Sequence, residues 1–162
     1  MNTNDVLRRL RYAFDLNDKG VVALVALGGV ETPPEEIYQY TRPEEDEDFI
    51  LCPPEVLGAF LDGLVIERRG PPKPGSPPPG STELTTNSVL RRVRIALILK
   101  DTDILEMLAA GGHPMSKSEL SALFRRPDHR HYRECGHQAL RKFLRGLTLK
   151  LRPDATDSPP VG

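Results

Sequence analysis

Tryptophan is absent from the 162 residues, and only two cysteines occur, Cys52 and Cys135. Two thiols are too few for the disulfide framework of a small secreted protein. No apolar run approaches the roughly 18 residues that a membrane span needs, so no membrane partner is expected. The opening Met1-Asn2-Thr3-Asn4-Asp5 passes directly to Arg8 and Arg9, without the apolar core of a signal peptide. A soluble, cytoplasmic protein is expected. Enzyme signatures are missing too. There is no phosphate loop, no H-E-x-x-H helix and no dinucleotide fingerprint. Ser, His and Asp all occur, but nothing orders them as nucleophile, base and orienter. No enzyme, catalytic residue or cofactor is expected. No segment alternates with period two for long enough to argue a sheet.

What is present is repetition. At an offset of 83 residues, Asn4-Asp5-Val6-Leu7-Arg8-Arg9-Leu10-Arg11 falls on Asn87-Ser88-Val89-Leu90-Arg91-Arg92-Val93-Arg94. Gly28-Gly29 falls on Gly111-Gly112, Cys52 on Cys135, and Phe60-Leu61-Asp62-Gly63-Leu64 on Phe143-Leu144-Arg145-Gly146-Leu147. Over residues 4–64, 20 of 61 positions are identical without a gap, which a single fixed offset gives only by duplication. Six of the chain's 16 prolines and three of its 13 glycines fall in residues 70–86, between the copies. The expected organisation is a first repeat over residues 1–69, a Pro/Gly-rich linker over 70–86, a second repeat over 87–152 and a disordered tail over 153–162. The linker should favour extended polyproline geometry.

Each copy reads as four short helices, so the fold class is all-α, with two tandem copies of a four-helix, helix-turn-helix-like module. The first helix is expected to start at Asn4 (Asn87) as N-cap, with Val6, Leu7, Leu10, Ala13 and Phe14 on one face. The second covers about residues 19–27 and stops at Gly28-Gly29. The third follows Thr32-Pro33-Pro34-Glu35 or Ser116-Lys117-Ser118-Glu119, both matching a capping box. The fourth begins near Pro53 and carries Val56, Leu57, Phe60, Leu61 and Leu64. Tyr12 and Asp15 correspond to Ile95 and Ile98, which makes the second copy's first helix apolar nearly all round. Ile95 and Ile98 are therefore expected to face the other copy or another subunit.

Charge divides between the copies. Residues 1–70 hold 7 basic and 14 acidic side chains, and residues 87–153 hold 14 basic and 6 acidic. One loop shows the inversion most sharply: Pro43-Glu44-Glu45-Asp46-Glu47-Asp48 against Arg126-Pro127-Asp128-His129-Arg130-His131. Such asymmetry points to a polyanion partner for the basic half or to attraction between halves, within a chain or between chains, although an ordinary solvated surface gives the same composition.

Residues 103–126 resemble a helix-turn-helix. An apolar helix meets a Gly-containing turn about one residue longer than usual, then a capped helix. In that motif the second helix lies in the major groove. Ser116, Lys117, Ser118 and Ser121 would reach base edges, and Arg125, Arg126 and Arg130 would neutralise phosphates. Copy one places Pro33, Pro34, Glu35 and Glu36 there, which would repel phosphate. Arg91, Arg92 and Arg94 could also grip phosphates. Against this, the matching Arg11 reads as paired to Asp15, an acid that copy two has lost, which leaves Arg94 freer. His129-x-His131 with Cys135-x-His137 offers zinc-ligand chemistry. Cys52, however, occupies the same place without histidines, so a small buried cysteine is the simpler reading and no metal is expected.

The two N-D-V-L-R-R-L-R-like starts, the run Ser116-Lys117-Ser118-Glu119-Leu120-Ser121-Ala122-Leu123-Phe124-Arg125, and Tyr132-Arg133-Glu134-Cys135-Gly136 resemble the bacterial YehS-like family, a domain of unknown function (1456) usually found in two copies. The resemblance spans residues 3–152, and the chain departs from it at His137 and in its long linker. It implies a helical, cytoplasmic bacterial protein and brings no activity or catalytic residue. The expected role is a nucleic-acid-binding or regulatory module, with DNA or RNA held by the second repeat and the acidic first repeat modulating or mimicking it. The alternative is a protein-interaction or self-assembling module, a homo-oligomer joined through Ile95, Ile98 and the opposite charges.

Overall fold

The computed structural model describes residues 1–76 and 83–154. They contain eight α-helices and no strand: α1 (Thr3–Ala13), α2 (Asp18–Leu27), α3 (Pro34–Tyr40) and α4 (Pro54–Arg69), then α5 (Thr86–Leu97), α6 (Asp101–Ala110), α7 (Lys117–Leu123) and α8 (His137–Leu151). The expected geometry of linker residues 77–82 and of the tail from residue 155 lies outside the described residues.

Helices α1 and α5 are capped two residues earlier than the sequence suggests. The N-cap of α1 is Asn2, whose side chain accepts from Asp5 N at 2.9 Å while Asp5 accepts from Asn2 N at 3.2 Å. Thr85 and Ser88 make the same reciprocal pair at the start of α5. Asn4 and Asn87 are therefore not caps. Both are buried and turned inward. Asn4 Nδ2 donates to Tyr40 O and Ile50 O, and its Oδ1 accepts from Cys52 N. Asn87 repeats all three bonds with Leu123 O, Arg133 O and Cys135 N. One amide in each copy thus fixes the loop ahead of the fourth helix and satisfies backbone groups that burial would otherwise strand. The Ser116 capping box is present, but the Thr32 one is not: α3 is capped by Pro33 with no side-chain bond, and Thr32 Oγ1 is buried without a partner.

Within each copy, α2 packs on α4 and α6 on α8. Between copies the packing is exchanged: α1 makes its largest contact with α8, and α5 with α4. Leu7 and Leu10 of the first copy and Phe143, Leu144 and Leu147 of the second belong to one continuous core. The central helices run side by side in the same direction. The start of α1 lines one cavity together with His137 and Leu140 at the start of α8. Arg152, which caps the other end of α8, donates to Tyr12 O near the end of α1. Leu84, before α5, likewise lies beside Pro54 and Gly58 early in α4. Parallel neighbours need a return along the length of a helix, and the 16-residue α4 is about 24 Å long.

The structure departs from two expectations. Of the two surfaces expected to meet Ile95 and Ile98, the first copy is not the one: they are 44% and 66% exposed, and only the alternative of another subunit stands. The apolar wheel misleads because Ile98 is not in the helix. It caps α5 in the left-handed region at φ 55°, and Asp15, one residue beyond the Phe14 cap of α1, takes the same region at φ 53°. Nor is Asp15 the partner of Arg11. Arg11 binds Asp18 at 2.8 Å, and Arg94 binds the equivalent Asp101 at 3.0 Å, so Arg94 is no freer than its counterpart. Asp15 instead lies 3.7 Å from Arg152.

Candidate nucleic-acid interface

Seven residues make α7, a rod of about 10 Å. Leu120, Ala122 and Leu123 are buried, which leaves Lys117, Ser118 and Ser121 exposed on the opposite side. Ser116 closes the N-terminal end: its Oγ accepts from Glu119 N at 3.1 Å, and Glu119 Oε1 accepts from Ser116 N at 3.1 Å. Those bonds from Ser116 hold the Glu119 carboxyl below its ordinary range. The connection from α6 to α7 spans residues 111–116, longer than the three or four residues of the usual helix-turn-helix turn.

At the other end of α7, Phe124 is a platform for two arginines of α5. Arg91 Nη2 donates to Phe124 O at 2.7 Å, and the Arg94 guanidinium lies over the ring at 4.5 Å. Cation–π contact with the Phe124 ring, and for Arg91 the Phe124 carbonyl, explain why these side chains stand beside α7. Arg125 follows, half-buried, and Arg126 and Arg130 are exposed. Arg126 lies 3.4 Å from Asp128, a solvated pair of little energetic consequence. Arg130 Nε donates to His131 Nε2, and His131 N donates to His129 Nδ1, which folds the loop on itself.

Nine of the ten predicted positions therefore flank α7 or its following loop. The tenth, Arg92, does not. It is buried and reaches into the seam between copies, with Nε 3.5 Å from Asp62 Oδ1 and Nη1 3.4 Å from Gly58 O. Arg92 is thus a strut between repeats and stands apart from the α7 surface. A helical wheel puts neighbouring arginines about 100° apart, but it cannot say which of them another helix covers.

The same surface in copy one is built differently. Tyr40 Oη donates to Glu36 Oε2 at 3.2 Å, and burial together with that carboxylate pushes the phenol up to about 12. Arg42 binds Asp46 at 2.8 Å, and Asp48 N donates to Asp46 Oδ1 at 2.8 Å. The Asp48 amide and Arg42 hold the Asp46 carboxyl low. At the repeat offset Arg42 is Arg125 but Asp46 is His129, so the loop keeps its cation and loses its central acid.

Cys52 and Cys135 are both buried at the foot of the fourth helix, and burial pushes their thiols up to about 12 and about 11. His129, His131 and His137 are exposed and Cys135 is not. Among the described residues no three His, Cys, Asp or Glu side chains converge to hold a metal ion. Also among the described residues, no helix is long and apolar enough to cross a membrane. Sequence reading passed over a basic row on α8: His137, Arg141 and Arg145 recur every four residues and so share a face. That periodicity was the available signal.

Fold and surface together define a class: an all-helical protein built from a duplicated four-helix module with oppositely charged copies. A family model described as a protein of unknown function (DUF1456) matches residues 3–70 and again residues 86–152. The chain belongs to that family. It is 41% identical over 150 residues to the uncharacterized protein YehS of Escherichia coli strain K12, covering 93% of this chain and 96% of that protein. No solved structure matches it.

Proposed function

We propose that the protein is a cytoplasmic, non-enzymatic nucleic-acid-binding or regulatory module whose second repeat holds the ligand. The observation that carries this reading is the charge inversion of one loop, from Glu44, Glu45, Glu47 and Asp48 in copy one to Arg126, Arg130 and two histidines in copy two. Arg125, Arg126 and Arg130 contact phosphates. Arg91 and Arg94 stay held on Phe124 at the margin and add positive potential. Ser116, Lys117, Ser118 and Ser121 present the polar face of α7 to the bases, and the acidic repeat modulates that binding or mimics the nucleic acid in its absence. A titration of the intact protein with duplex DNA and structured RNA tests it. An Arg126→Glu/Arg130→Glu variant should weaken binding at least tenfold, and added salt should weaken wild-type binding steeply. Equal binding by wild type and variant, or binding indifferent to salt, would contradict the reading.

A second reading, self-association, is favoured by one feature: Ile98 is apolar, exposed and held in a backbone region that β-branched residues rarely adopt. Sedimentation at low and high salt separates the two contributions. A charge-driven oligomer dissociates as screening rises, and one held by Ile95 and Ile98 does not.

A further inference from the structure

The loop between α7 and α8 is drawn into two successive turns. His129 N donates to Arg126 O and Tyr132 N donates to His129 O, both at 2.9 Å. The side chains of His129 and His131 are exposed, yet each ring is held by one edge. His129 Nδ1 accepts from His131 N, and His131 Nε2 accepts from Arg130 Nε, each at 3.0 Å. Bonds to ring nitrogens lie at the ring edge, so they fix the two imidazoles without covering their faces. The ring centroids are 5.6 Å apart, and the planes are inclined at 44°. Arg126 and Arg130 are exposed beside them. In copy one the same two positions hold Asp46 and Asp48, so the ring pair belongs to the basic repeat alone.

Paired bases in a duplex lie parallel at about 3.4 Å and offer only their edges. Rings inclined at 44° cannot match that stack. Nor does 5.6 Å admit a base between them, which takes about twice the stacking distance. A single strand is free of both constraints. It can splay successive bases so that each rests on one outer ring face, and histidine is among the side chains on which unstacked bases rest. The start of α7 points the same way. Major-groove reading brings the N-terminal end of the second helix onto the DNA. In α7 that end holds the Glu119 carboxylate, bonded to Ser116 N at 3.1 Å, and negative charge there opposes a groove walled by phosphates.

We propose that the α7–α8 loop selects single-stranded nucleic acid over duplex, with two successive bases stacked on the outer faces of His129 and His131 and their phosphates beside Arg126 and Arg130. This rests on the α7 surface being the nucleic-acid interface and specifies its ligand. Charge alone would give the opposite preference, because a duplex carries the denser line of phosphates.

Fluorescence anisotropy of the full chain at low salt, with labelled oligo(dT) and with duplex DNA of equal length, tests the selection. Wild type should bind the single strand at least tenfold more tightly. His129→Ala/His131→Ala should weaken single-strand binding about tenfold, the scale of lost base stacking, and leave duplex binding within about twofold. His129→Gln/His131→Gln keeps an acceptor but no ring and should lose as much, whereas His129→Tyr/His131→Tyr keeps a ring and should bind as wild type does. Duplex binding as tight as single-strand binding, or equal single-strand binding by wild type and the alanine variant, overturns the proposal. A parallel arm with oligo(U) assigns the strand to RNA if it binds more tightly than oligo(dT), and to DNA if it binds less tightly. If Arg126→Glu/Arg130→Glu weakens binding and the histidine variants do not, the α7 reading stands and stacking fails. If the arginine variant binds as wild type does, the α7 reading itself fails.

Discussion

Gly146 of α8 lies so close under Met107 of α6 that a β-carbon on it would stand 1.8 Å from the Met107 carbonyl oxygen. Gly63 stands in the same relation to Leu24 in the first copy, also at 1.8 Å. Alanine in place of a mid-helix glycine ordinarily stabilises by about 0.5–1 kcal/mol. Here the obstacle is backbone, which cannot swing aside. Gly63→Ala and Gly146→Ala should each destabilise by about 1–3 kcal/mol through forced separation of the helices. Urea denaturation of the two variants checks this, and stabilisation in either would show that the helices part freely.

Asn4 and Asn87 should be among the least replaceable polar residues. Each makes three bonds to backbone that is buried or partly buried. Truncation leaves those groups unsatisfied, at a cost of about 1–3 kcal/mol for each buried one. Asn4→Ala and Asn87→Ala should therefore lower stability by several-fold more than Asn2→Ala, which removes only an exposed cap worth about 1 kcal/mol. Comparable losses in all three would rule out the clamp.

The Arg92–Asp62 pair couples the copies, and its two ends are not equally replaceable. Arg92→Ala leaves Asp62 beside an apolar seam and should cost about 2–3 kcal/mol, below the range for a fully buried pair because Asp62 retains some solvent. Arg92→Met combined with Asp62→Leu should recover most of that loss. A double-mutant cycle measures the coupling, and additive effects would mean that the pair contributes nothing.

Ile98 adopts a left-handed backbone at φ 55°. That conformation costs an L-residue with a branched β-carbon roughly 1–2 kcal/mol, whereas asparagine accepts it. Ile98→Asn should raise the thermal midpoint, as Asp15 at the equivalent place suggests. If the same change also reduces sedimentation of a dimer, Ile98 belongs to an interface. An unchanged or lower midpoint would show that tertiary contacts already compensate for the strain.

The two thiols should be inert in the native state. With folded values of about 12 for Cys52 and about 11 for Cys135, against an ordinary 9, thiolate is scarce at pH 8. Disulfide-exchange reagents should label neither until the protein unfolds. Both values are raised on folding, so the native state holds these protons longer. Their contribution to stability is complete below about pH 9 and declines as the pH rises toward 11–12. Rapid labelling of native protein at pH 8 would contradict their burial.

The sequence by itself determined the duplication, the helix count, the glycine stops after α2 and α6, the Ser116 cap, the burial of both cysteines and the division of charge. These features are local or periodic, and each is settled by residues within a turn or two, or by comparing one copy with the other. The tertiary structure decided what the buried faces meet. A wheel identifies Leu7 and Leu10 as apolar, but it does not reveal that they join a core shared with the other copy. Nor does it separate Arg92, drawn into a seam by Asp62 thirty residues away, from Arg91, held outside on Phe124. Asn4 resembles a cap because caps and buried amides use the same side chain, and only the loop folded over it shows which applies. Those outcomes rest on contacts between residues distant along the chain, whose free energy depends on geometry that composition and spacing do not carry.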